Sequence, residues 1–175
     1  KPDISLLSEL KKKQERVVFH VLQQYARSGV LERLYIAENT KLENIVGDIS
    51  VIEYYDKLND LLVYTMHMIN IFNNSKPMMS TLSKSTNTAR ISTIGIIDFD
   101  SGEEKLFYDL ETPRDKFYFY ALSKESLQKE GDIIKRIKEQ VKKQKAIYGI
   151  YSTKYNENYV YTQVNTTLIQ EENLN

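Results

Sequence analysis

The chain has 175 residues, with 24 basic and 24 acidic side chains, two histidines and no cysteine. The balanced charge removes any bulk attraction to nucleic acid or anionic membrane, and the lack of cysteine excludes disulfides, thiolate nucleophiles and cysteine metal sites. A chain of this length can bury a core without covalent staples.

No run approaches the about 18 apolar residues of a spanning helix. The best stretch, residues 61–72, is interrupted by Thr65, His67 and Asn70. No signal peptide is visible. The sequence begins at Lys1-Pro2, which leaves room for a signal, an anchor or a domain upstream, and the compartment stays open.

Asp3 or Ser5 can cap a first helix whose apolar residues, from Leu6 to Tyr25, recur at three- and four-residue spacing. Ser28-Gly29 ends it, since glycine fits the left-handed position past a helix end. A second helical pattern runs from Leu31 to Ile49, with a fresh start near Asn39-Thr40 and an end at Gly47-Asp48. A third, long and strongly periodic, follows from Val51 to Phe72. Residues 74–90 are rich in Ser, Thr and Asn, and Pro77 forbids continued helix. They form a connector, either a mobile linker or an ordered functional loop.

Residues 91–97 alternate and are mostly β-branched, as a strand prefers. Asp100-Ser101-Gly102-Glu103 supplies turn chemistry, so Lys105 to Leu110 is expected to close a β-hairpin. A second turn at Thr112-Pro113 leads to an aromatic strand, Lys116 to Leu122, completing a three-stranded meander. Ser123 caps a last helix that Gly131 interrupts. Residues 146–152 and 159–164 make a closing hairpin, and the polar tail from Thr166 frays. The expected fold is α+β, with N-terminal amphipathic helices followed by a β-β-β-α-β-β, mostly antiparallel sheet. In domain terms this gives a helical region at 1–73, the connector at 74–90, a mixed sheet with one helix at 91–165 and a tail at 166–175, together one compact unit.

Asp98 and Asp100 form a D-x-D at a strand end, where two carboxylates can hold a divalent cation for phosphoryl transfer. Turn chemistry explains the pair better, because no phosphate-cradling loop accompanies it. For Glu103 and Lys105, simple charge pairing is favoured over nuclease chemistry. His20 and His67 lie on polar helix faces. The basic residues of the last helix, Lys135 to Lys145, are interleaved with acids and form a solvated face. The tyrosines Tyr108, Tyr118, Tyr120, Tyr151, Tyr159 and Tyr161 either pack as core with wet rims or present a recognition surface.

The leading functional expectation is a non-enzymatic protein–protein interaction domain from a larger or membrane-attached assembly, using those tyrosines. It binds a protein partner or a second copy, no specific nucleic acid and no cofactor, and it has no catalytic residues. The alternative is a small-molecule sensor. The leading helix, the Asp-x-x-Gly hairpin and the later antiparallel strands are similar to PAS and Cache domains at the level of fold, which implies a ligand enclosed by sheet and connector. A third reading is a metal-dependent phosphoryl-transfer enzyme using Asp98 and Asp100.

Overall fold

The computed structural model describes residues 1–80, 82, 85–129 and 131–171. Asp3 caps only a short 3-10 turn, Ile4–Leu6, and Ser8 takes over as the cap of α1 (Glu9–Ser28), which Gly29 ends at φ 88°. The second helical pattern does not form one helix. Leu34–Tyr35 is a two-residue strand, β1, and α2 (Asn39–Val46) starts at the expected fresh cap. Then come α3 (Tyr54–Asn73), β2 (Met79–Ser80) inside the connector, β3 (Ile91–Ile97), β4 (Glu104–Leu106), β5 (Asp115–Ser123), α4 (Lys124–Lys129), α5 (Ile133–Gln144), β6 (Ile147–Thr153) and β7 (Tyr159–Thr166).

The seven strands make one mixed sheet in the order β1-β3-β7-β5-β6-β2, with β4 pairing β3 outside that path. The β3–β4 hairpin forms as expected, its turn closed by Asp98, whose carboxylate accepts hydrogen bonds from Ser101 N and Oγ, both 2.7 Å. Two finer expectations are corrected. The meander stops after two strands, because β4 is short and β5 pairs β7 and β6 instead. The closing hairpin is absent, because α4 and α5 carry the chain over the sheet and lay β6 parallel to β5. A helical crossover of this kind is how parallel neighbours are joined. β7 then enters between β3 and β5, antiparallel to both. The sheet is therefore mixed, with β1–β3 and β5–β6 parallel.

Successive residues of a strand face opposite sides, so β3 and β7 sort the core. Ile94 and Tyr161 face α3, where Phe72 packs on Tyr151 (4.5 Å between ring centroids), Tyr161 (5.9 Å) and Phe119 (6.1 Å). Ile97 and Val160 face α5, together with Tyr118 and Tyr120. On the same side as α5, Ile91 and Val164 receive Phe19 and Ala26 of α1. Helices therefore cover both faces, α3 on one and α1 with α5 on the other. Past β7, Gln170 is buried and exchanges hydrogen bonds with Gln23 of α1, at 2.7 and 3.1 Å; residues 172–175 of the tail lie outside the described residues.

Gly95 is where β4 crosses β3 most closely, since a Cβ there would lie 2.9 Å from Leu106 Cα and closer still to the Lys105 carbonyl. Gly95→Ala is expected to loosen the hairpin, because backbone on both sides must shift. Phe72→Ala removes the aromatic hub under α3 and should cost about 3–5 kcal/mol. Thermal melts of both variants test this, with a fall of about 10 °C expected for Phe72→Ala.

Candidate functional site

Along the α3 side of the sheet the strands change chemistry. Ile94, Phe119 and Tyr161 give way to Ser92 on β3, Asp115 on β5, and Gln163 and Asn165 on β7. α3 ends at Asn73, so the connector covers this polar end, with Leu82 packed over Gly149. Between them is a cleft of about 620 Å³, lined by Arg33, Tyr35, Phe72, Arg90, Tyr151 and Gln163 among others.

One hydrogen-bonded file runs through the cleft floor. Arg33 donates to Ser92 Oγ (2.8 Å), Ala89 O (3.1 Å) and Ser85 Oγ (2.5 Å). Ser92 Oγ donates to Asn165 Oδ1 (2.7 Å), which also accepts from Gln163 Nε2 (3.0 Å). Tyr35 OH donates to Gln163 Oε1 at 3.4 Å. Asp115 accepts from Thr86 N (3.1 Å) and so pins the connector from the other side. Burial pushes the Tyr35 phenol above its ordinary value, against the opposing pull of Arg33. The Nδ2 of Asn165 is buried with no hydrogen-bond partner among the described residues, and leaving such a donor unmet costs about 1–3 kcal/mol. The file orders the connector and lines a polar recess. No group of three or more acidic, histidine or cysteine side chains among the described residues could hold a metal.

Arg33, Gln163 and Asn165 were not singled out by the sequence. Their one signal is Gln163 and Asn165 at alternate positions of a buried strand, where large amides are uncommon. Asp98 and Asp100 do not converge. Asp98 closes the turn, its carboxyl held below its ordinary value by the hydrogen bonds from Ser101, and Asp100 lies 3.6 Å from Arg136 on the surface. Glu103 and Lys105 form an exposed 3.8 Å pair. His20, His67 and the basic residues of α5 are exposed. The six tyrosines are divided. Tyr118 and Tyr120 lie under α5, Tyr151 and Tyr161 under α3, and Tyr108 under α1, all buried, with Tyr159 half-buried at the edge of the α3 cluster.

No protein-family model matches the sequence, and no curated protein matches it. Solved structures do. An FtsZ dimer from M. jannaschii aligns with a TM-score of 0.58 at 13% identity, over 83% of this chain and 47% of that one. A GTPγS-form protofilament of TubZ from Bacillus thuringiensis serovar israelensis gives 0.59 at 18% identity, over 88% and 48%. The TubZ-Bt four-stranded filament gives 0.60 at 15%, over 94% and 51%. The chain has the fold of about half of an FtsZ- or TubZ-type subunit. That likeness overturns the expectation of a non-enzymatic interaction domain and that of a PAS- or Cache-like sensor. Asp98 and Asp100, the candidates for phosphoryl transfer, serve here as a turn cap and as a surface acid beside Arg136. An assembly component remains compatible with the fold, and no helix among the described residues is long and apolar enough to cross a membrane.

Burial, reinforced by Glu104, raises the phenols of Tyr118 and Tyr120 far above 10, and burial with Tyr64 does the same for Tyr161. A group whose folded pKa is raised contributes stability that is complete below its unfolded value and is lost as pH climbs from there toward the folded value. Absorbance titration at 295 nm should show these three ionising only together with unfolding above pH about 10. Separately, Arg33→Ala is expected to cost about 1–3 kcal/mol and to speed hydrogen exchange at residues 85–92, with Arg33→Lys restoring little because one ammonium cannot reproduce the planar fork.

Proposed function

We propose that this chain forms the sheet-bearing half of a filament-forming protein of the FtsZ/TubZ kind, whose assembly follows guanine-nucleotide state and turns over GTP. The observation that carries the reading is the match of 83–94% of the chain to subunits solved as an FtsZ dimer, a GTPγS-form TubZ protofilament and a TubZ filament. TubZ is also solved as GDP-form protofilaments. A protein found in both nucleotide forms suits a cycle in which the γ-phosphate is lost.

The residues of this chain do not by themselves fit a nucleotide. The glycines at positive φ, Gly29, Gly47 and Gly102, are isolated, and none begins a glycine-rich loop at a helix N-terminus of the kind that cradles phosphates. On this reading the phosphate-binding part belongs to the other half of the fold. This half supplies a rigid sheet, and the cleft between α3, the connector and the sheet couples the connector's position to that sheet.

Sedimentation and phosphate-release assays with GTP, GTPγS and GDP, on protein in which this chain is joined to the other half of the fold, test the proposal. Polymer that pellets with GTPγS, together with phosphate release from GTP, is the expected result. A monodisperse protein under all three nucleotides, with no phosphate release, contradicts it.

A further inference from the structure

The cleft between α3, the connector and the sheet gathers two guanidinium groups, from Arg33 and Arg90. Both hold the same short turn of chain, Arg33 Nη1 donating to Ala89 O (3.1 Å) and Arg90 Nε to Asn87 O (2.7 Å). Among the described residues neither is ion-paired with a carboxylate, and Glu32, the acid among the cleft's lining residues, is exposed and bonds to neither. Two half-buried like charges held on one segment repel each other, and an anion bound to both reverses that balance.

Their donors are not all engaged either. A guanidinium has five N–H donors. Among the described residues Arg33 uses three, two on Nη1 and one on Nη2, which leaves Nε–H and the second Nη2–H on adjacent nitrogens of the fork. Arg90 uses only Nε, which leaves both of its Nη groups. Paired donors in one plane match the two oxygens of a carboxylate or phosphate. Gly29 lets Arg90 take this position, because a Cβ there would collide with its Nη1.

The cleft is larger than an ion requires. Its volume of about 620 Å³ falls in the range of small-molecule sites, about 300–1,000 Å³. Phe72, Phe117 and Tyr151 give it an aromatic wall, against which a ring can stack. With two guanidinia and no glycine-rich loop, it suits one anionic group rather than a phosphate chain.

We propose that the cleft binds a small aromatic phosphate or carboxylate, with Arg33 and Arg90 holding the anionic group and the ring seated on Phe72 and Tyr151. Because both arginines also hold the end of the connector, the bound anion ties residues 85–90 more firmly to the sheet. This site stands apart from the filament reading, and either can fail without the other.

Isothermal titration of the intact protein with phenyl phosphate, benzoate, inorganic phosphate and benzyl alcohol tests the proposal. Phenyl phosphate or benzoate should bind, the tighter of the two naming the anionic group, and inorganic phosphate and benzyl alcohol should each bind roughly tenfold more weakly or worse. Arg90→Gln removes a side chain with one hydrogen bond to the described residues, so it should fold, as a circular dichroism melt checks, and should weaken the tighter probe roughly tenfold or more. Arg33→Gln should weaken it as well. Amide exchange at residues 85–92 should slow when the probe binds the unsubstituted protein, and should stay unchanged at the same probe concentration in Arg90→Gln. Inorganic phosphate bound as tightly as phenyl phosphate would mean an ion site with no seat for a ring, and would overturn the proposal. An affinity that Arg90→Gln and Arg33→Gln both leave unchanged overturns it too, as does the failure of both aromatic anions to bind.

Discussion

β7 is hydrogen-bonded along its length on both sides, from Val160 to Thr166 against β3 and from Tyr159 to Asn165 against β5. Without it the β1-β3-β4 group and the β5-β6-β2 group would be two separate three-stranded sheets with no ladder joining them. Because β7 is central, both of its faces must be covered, and its alternation divides the molecule. Val160 and Val164 turn toward α5 and α1, and Tyr161 turns toward α3. The placement of the helices, with α1 and α3 on opposite faces, follows from that one insertion.

The same strand carries the polar groups that define the cleft. Gln163 and Asn165 stand where α3 no longer reaches, and their amides would be costly to bury against an apolar cover. The connector answers with polar groups of its own, through Ser85 and Thr86, and Arg33 bridges it to β3. On the opposite face Glu104 accepts from Lys116 (2.7 Å) and Thr162 (2.9 Å), so the short β4 is tied across the sheet despite having only one strand neighbour. Polar contacts at both margins fix the sheet's register, while aromatic packing beneath α3 and α5 supplies most of the driving force.

Much of this was legible in the residues. The three strands, helical segment and two strands in succession (with α4 and α5 in place of one helix), the Asp98–Glu103 turn, the Gly29 stop and the fresh helix start at Asn39 all follow from local rules, because caps and turns are decided by a few neighbouring atoms. The failures are non-local. A turn-rich segment between two strands signals a hairpin, yet β6 is claimed by β5 and β7 by both β3 and β5, choices made by surfaces far apart in sequence. β1 and β2 are two residues each, and Leu34-Tyr35 fits a helical period as well as a strand. That α1 leaves Val17, Val18 and Tyr25 exposed is invisible to periodicity, which detects an apolar face but not whether anything covers it. The fold likeness escaped the sequence for a related reason. The expectation leaned on the absence of catalytic motifs, whereas the likeness to FtsZ and TubZ resides in the fold, at 13–18% identity.

The account stands on β7 lying between β3 and β5, and cross-strand nuclear Overhauser effects in the isotope-labelled protein measure that directly. Contacts joining Ile94 to Gln163 and Phe119 to Tyr161, with slowly exchanging β7 amides, are the predicted result. Contacts running from β6 to β7 through the turn at 154–158, with β7 amides exchanging at the rate of an edge strand, would mean the closing hairpin forms after all, and the FtsZ/TubZ-like sheet would be wrong.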